Sequence, residues 1–253
     1  MAETSFYPSI TPVKSSDVPS KQTLIDVMIP LLVESESWPA GRTYKEEHHG
    51  STFEVSTFSR QKQAGDGAMW HGRASDHSKE STGGWDSFWQ GIGVNHTAHE
   101  QEYFVELDQV KKLKVLNTDQ EIWTTHYALR APAGDRIFTV LVTTHVVTHP
   151  ENGLRTGYVM TVPIDVSSEV ELVQQEFRGT RGSYAAIEHV KELPDGGVNW
   201  RMITTSTPGG YIPQFIVEKQ MPGKIKEDVA AFMGWLAKRR EEAAGSSSAT
   251  TTS

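Results

Sequence analysis

The chain carries ten histidines and no cysteine. Imidazole titrates near neutrality and ligates metals, so proton transfer and nitrogen coordination are the open chemistries. Disulfides, thiolate catalysis and Cys-ligated zinc or iron–sulfur clusters are closed. In His96-Thr97-Ala98-His99-Glu100 two imidazoles stand three apart, and on a helix they share a face. Zinc needs three or four converging ligands, and no third is specified, so no metal is expected. His48 and His49 point to opposite faces of a strand and do not act together. The stretch Arg136–Thr148 is more informative. A period of two puts Ile137, Thr139, Leu141, Thr143 and His145 on one face, and Phe138, Val140, Val142 and Thr144 on the other. If the second set meets the core, His145 faces solvent. If the first set lines a cavity, His145 becomes a hydrogen-bond partner or general base in an apolar wall.

Tyr158, Tyr184, Trp200 and Met202 fall on expected strands, where large side chains with a polar tip form either plain core or the lining of a small-molecule cavity. Glu188 shares a face with Tyr184, and Trp123 with His126 makes a weaker pair. The candidate catalytic groups are His145, Tyr158 and Tyr184. The candidate ligand-binding groups are Trp123, His126, Leu141, Thr143, Met160, Glu188, Trp200, Met202, Thr204 and Phe232. There is no Walker A sequence, no G-x-S-x-G elbow and no kinase set, and Gly91-Ile92-Gly93 lacks the third glycine of a dinucleotide loop. No cofactor is expected.

The element that must close any such cavity is the last one. From Gly223 to Glu242, Ile225, Val229, Phe232, Met233 and Leu236 recur at the helical period, after a start signal at Met221-Pro222-Gly223. Tyr211–Gln220 reads as a short helix leading into it. Lys21–Glu36 has helical spacing interrupted by Pro30, which should kink or break it. Trp85–Tyr103 suits a helix, weakened by Gly91 and Gly93. Most of the remainder reads as strands: a hairpin Tyr44–His49 and Phe53–Arg60 turning at Gly50-Ser51, then Ala68–Ala74, Glu106–Leu116, Ile122–Arg130, Arg136–Thr148, Tyr158–Val166, Ser183–Leu193 and Val198–Ser206. Ser75–Gly84 is polar and reads as loose. The expectation is an α+β fold in which a curved antiparallel sheet wraps around one long C-terminal helix, leaving a hollow between them.

With 253 residues the chain suits one sizeable domain, expected over 21–242, after a flexible Ser/Thr/Pro-rich arm at 1–20 and before a disordered Ser/Thr-rich tail at 243–253. A net charge of -8 disfavours nucleic acid as a partner. No apolar run approaches the length of a membrane span, so no stable membrane insertion is expected. The first residues show no secretory signal, which makes the cytoplasm the expected compartment. Oligomeric state is not specified.

Asn199-Trp200-Arg201-Met202-Ile203-Thr204-Thr205-Ser206, Pro208-Gly209-Gly210-Tyr211-Ile212-Pro213, Met221 to Val229 and Phe232-Met233-Gly234-Trp235 resemble the fungal START-like proteins grouped as DUF3074. Trp85-Asp86-Ser87-Phe88, the H-x-x-H-E-x-E-Y run from His96 to Tyr103, and Arg136-Ile137-Phe138 with Val140-Leu141-Val142 add to the likeness, which covers about Trp85 to Arg240. The resemblance implies a helix-grip, Bet v 1-like fold with an internal hydrophobic cavity. It also implies a hydrophobic ligand, but no catalytic motif to carry over. The expected function is therefore binding of a polyketide or terpenoid intermediate, with a cofactor-free cyclisation, cycloaddition or dehydration in fungal secondary metabolism. The alternative is a non-catalytic lipid or sterol carrier with a lid around Ser75 to Gly84.

Overall fold

In the computed structural model, residues 6–48, 51–129 and 134–249 are described. Strand β1 (Val13–Lys14) precedes helix α1 (Lys21–Glu34), whose Ser20 cap accepts from the Thr23 backbone N–H. Strands β2 (Ala40–His48), β3 (Ser51–Arg60) and β4 (Trp70–His77) follow. Then come helices α2 (Lys79–Thr82), α3 (Trp85–Ile92) and α4 (His96–Tyr103), and strands β5 (Leu107–Asn117), β6 (Gln120–Tyr127), β7 (Arg136–Thr148) and β8 (Arg155–Asp165). Helix α5 (Val170–Gln175), strands β9 (Thr180–Arg181), β10 (Ser183–Glu192) and β11 (Val198–Thr207), and helix α6 (Gln214–Ala249) complete the chain.

The strands make one sheet in the order β2-β3-β4-β11-β10-β8-β7-β6-β5, antiparallel at every step. Pairing of β4 with β11 joins β2–β4 to β10–β11, so residues far apart in sequence meet at mid-sheet. One face packs on α1, where Leu24, Met28 and Leu32 meet Trp70, Leu141, Met160, Ile187 and Ile203. The other face packs on α3 and α6, where Phe88, Trp89, Val229, Phe232 and Leu236 meet Val55, Val140, Val159, Val190 and Trp200. A sheet covered on both faces explains why its strands read as near-continuous apolar runs rather than clean alternations.

The expected fold class, a curved antiparallel sheet with a long C-terminal helix, is the observed one. Several boundaries differ. Helix α6 starts at Gln214 and runs through Met221-Pro222-Gly223 to Ala249, so it absorbs the expected short helix and part of the expected tail. Pro222 does not begin it. α1 continues through Pro30 as one helix. A proline removes one backbone hydrogen bond, and the buried Met28, Leu31 and Leu32 hold the turns on either side. β4 extends to His77, because its outer half pairs with Val198–Arg201, and a short helix follows, so Ser75–Gly84 is not the expected loose lid. Within the expected arm, Val13–Lys14 adds a parallel strand to Ile164–Asp165. Trp85–Tyr103 forms two helices, with Asn95 between them at φ 48°, the left-handed region. His49, the expected end of the first hairpin strand, Gly50 of the expected Gly50-Ser51 turn and Arg130, an expected strand end, lie outside the described residues, as do 1–5 and 250–253, while Ser51 begins β3.

Candidate functional site

A hollow of about 490 Å³ lies between α6, α4 and the face of the sheet formed by β4, β11, β10 and β6–β7. Its apolar wall comes from Ile92, Phe138, Ala186, Met202 and Ile225. Parity along the strands explains the choice. Tyr184, Ala186 and Glu188 on β10, and Trp200, Met202, Thr204 and Ser206 on β11, share the α6-facing side, while Ile187 and Ile203 turn to α1.

Within this wall sits a group of ionisable side chains. Arg73 on β4 is 1% exposed, and its Nη2 lies 3.7 Å from Glu188 Oε2. Its guanidinium carbon stands 3.8 Å from the centre of the Trp200 ring, a cation–π contact. The Trp200 indole N–H donates to Glu188 Oε2 at 2.7 Å. His96 Nε2 lies 3.5 Å from Glu100 Oε1 and 3.8 Å from Glu188 Oε1, and its Nδ1 is 2.8 Å from the Ile92 carbonyl. Asp228 joins from α6, together with the phenols of Tyr103, Tyr127 and Tyr184.

Their acidities follow from burial. Withdrawal from water pushes the Asp228 carboxyl up to about 7, with Arg73 opposing and Glu100 and Glu188 reinforcing. Burial likewise raises Glu100, against His96. For His96 burial disfavours the cation, but Glu100 and Glu188 outweigh it and raise the pKa. Burial lifts all three tyrosines well above the ordinary phenol value, so they remain donors. Burial lowers Arg73, opposed by Glu188 and Asp228. The arrangement can hold an apolar body and hydrogen-bond a polar group. It can also move a proton at Asp228 near neutral pH.

Of the residues singled out from sequence, Tyr184, Glu188, Trp200, Met202 and Thr204 line this hollow. Phe232 is buried beside it, 5.1 Å ring to ring from Trp200. His145, Tyr158, Leu141, Thr143 and Met160 belong to the opposite side of β7 and β8. Leu141, Met160 and Tyr158 pack in the α1 layer, and Thr143 bonds Gln120. His145 lies beside Tyr158 and borders a second cleft of about 490 Å³ that also includes Lys21, Asp119 and Trp123 and shares His96 with the hollow. His126 pairs with Asp108 at 2.6 Å, away from the hollow. The candidate catalytic trio is therefore divided, with Tyr184 inside and His145 and Tyr158 outside. Of the two readings left open for β7, it is the Phe138–Val140–Val142 set that turns to the α6 side.

Sequence reasoning missed Arg73, Tyr103, Tyr127 and Asp228, and read His96 and Glu100 only as a metal question. A signal was present on β4, where His71, Arg73, Ser75 and His77 alternate with Trp70, Gly72 and Ala74, yet both sets are mostly buried. His99 Nδ1 meets the Gly91 carbonyl at 3.0 Å, and no group of three potential metal ligands occurs among the described residues.

Residues 70–236 match the family model described as "Protein of unknown function (DUF3074)". No curated protein matches the chain by sequence. Among solved structures, human StAR-related lipid transfer protein 5 superposes with a TM-score of 0.67 at 14% identity, over 87% of this chain and 95% of that one. Human STARD10 gives 0.60 at 11% identity, over 88% and 84%. A STAR-related lipid transfer protein fragment from Xanthomonas axonopodis gives 0.51 at 14%, over 79% and 98%. At these identities the likeness is one of fold, a START-like helix grip.

Proposed function

We propose that this chain, which belongs to the DUF3074 family, binds an apolar small molecule with one polar end in the hollow beneath α6. The observation that carries the reading is the wall itself: a largely apolar hollow into which Arg73, Glu188, His96, Glu100 and Asp228 converge. Plain core does not gather five ionisable groups, because burying them is costly unless something uses them. The names of the solved relatives, lipid transfer proteins, support an apolar ligand. The test is native mass spectrometry of the purified chain with organic extraction, followed by titration with hexadecanol and cholesterol while the tryptophan emission is read. A bound apolar species, or saturable binding that a cavity-filling Met202→Trp substitution removes, supports the reading. An empty protein that neither compound titrates overturns it.

A second reading is favoured by Glu100, Asp228 and Tyr184 lining the same hollow, with both acids raised by burial. Here the bound polyketide or terpenoid intermediate undergoes a cofactor-free cyclisation or dehydration. In a dehydration, the protonated carboxyl gives its proton to a departing hydroxyl, which leaves as water. A carboxylate then takes the proton from the neighbouring carbon as the double bond forms. Under this reading an Asp228→Asn protein retains ligand and loses turnover of a candidate intermediate. Equal turnover removes Asp228 from the chemistry.

A further inference from the structure

We propose that the ligand of this cavity carries a carboxylate, and that the Arg73 guanidinium receives it. The inference rests on the reading that the hollow takes an apolar small molecule, and it names the head group. Arg73 brings five N–H donors in a planar fork. Its Nε and Nη1 are buried with no hydrogen-bond partner, and Nη2 has only Glu188, at 3.7 Å. The nearest Glu188 oxygen is already engaged by the Trp200 indole at 2.7 Å. One face of the guanidinium is occupied by the Trp200 ring, so its plane is fixed and its edge is what remains for a partner. Buried donors left unmade are expensive, and a carboxylate matches a guanidinium edge with two parallel bonds.

The other groups around the fork favour the same head. Glu188 stands on β10, His96, Glu100 and Tyr103 on α4, Tyr127 on β6, Arg136 on β7, Tyr184 on β10, and Lys224, Glu227 and Asp228 on α6. Burial raises Asp228 to about 7 and keeps the three phenols protonated, so these residues present O–H donors below that pH, and burial raises Glu100 as well. His96, with its Nδ1 on the Ile92 carbonyl, turns Nε2 towards the acids. The polar end of the hollow is thus rich in donors, and Glu188, the acceptor nearest Arg73, already accepts from Trp200. An alcohol satisfies one donor where a carboxylate satisfies several, and an ammonium would add donors and face Arg73.

The test is competition among palmitate, hexadecanol and hexadecylamine for the full chain, read by tryptophan emission at about pH 6.5. Palmitate is expected to bind at least about tenfold tighter than either competitor. Arg73→Gln should lose about that factor for palmitate and leave hexadecanol within about twofold. Palmitate affinity should also fall as the pH rises from about 6 to about 8 and Asp228 ionises. If hexadecanol or hexadecylamine binds as tightly as palmitate, the carboxylate assignment is overturned and the apolar-ligand reading stands. If none of the three binds, that reading falls and takes the assignment with it. Should the Gln variant fail to fold by circular dichroism, the ranking of the three compounds on the native chain decides.

Discussion

Replacing Asp228 with Asn keeps the shape of the side chain and removes its titration. In the folded protein burial moves the Asp228 carboxyl from 3.8 to about 7. Between those values the folded state binds more protons than the unfolded chain, so this group makes stability fall as the pH rises through the window. At 1.36 kcal/mol per pH unit the full span is about 4 kcal/mol. Relaxation around a cavity-lining group reduces that figure, and we expect roughly 2–4 kcal/mol. Near pH 4 the two proteins should have similar stability. Above about pH 7 the Asn variant should be the more stable by that amount. Glu100 is also raised and adds a slope of the same sign in both proteins, so the difference between them reads Asp228 together with its coupling to Glu100. Urea unfolding at intervals from about pH 4 to about pH 8 reads it directly. A wild type more stable than the variant at about pH 8 would refute the reasoning, since Arg73 would then stabilise the ionised carboxylate by more than burial opposes it.

Phe232→Ala should destabilise by about 3–5 kcal/mol, because the ring is fully buried against Phe88, Tyr103, Trp200 and Trp235, and urea denaturation checks it. Gly157→Ala should cost about 1–3 kcal/mol by the same assay, since a Cβ there would fall 2.3 Å from Trp89 Cζ3, which also stacks on Trp85. His145→Ala should leave ligand titration of the cavity unchanged, because His145 borders the other cleft. Weakened binding would place it at the ligand after all.

The long C-terminal helix was readable because its apolar period outlasts any local ambiguity, and β7 and β10–β11 because β-branched residues and Gly-rich turns bracket them. The site was half readable. Tyr184, Glu188, Trp200, Met202 and Thr204 share one parity on adjacent strands, and that parity is visible in the sequence. Which side of β7 and β8 met the helix was not, since both faces are apolar and the sheet is covered by α1 as well as α6. His145, Tyr158, Leu141, Thr143 and Met160 were placed at the ligand by that ambiguity. Arg73 was illegible for a different reason. Its partners sit 115 and 127 residues away, at Glu188 and Trp200, and only the β4–β11 pairing brings them together.

Pro222 divides α6 into two parts of unequal tenacity. It has no N–H, so the helix loses a rung at that point. The buried anchors, Ile225, Val229, Phe232, Met233 and Leu236, all lie downstream. Upstream, Phe215 is 69% exposed and the ties are few: Gln214 Nε2 to the Ser206 carbonyl at 2.9 Å, and the Met69 N–H to Glu218 at 3.2 Å. Met221, at the junction, borders the hollow. Free energy of opening scales with what is released. The first two turns can therefore peel from the rim while the remainder of the helix keeps its grip, and amide hydrogens at 214–221 should exchange orders of magnitude faster than those at 225–236. The cover of the cavity is built as a hinged flap on a riveted plate.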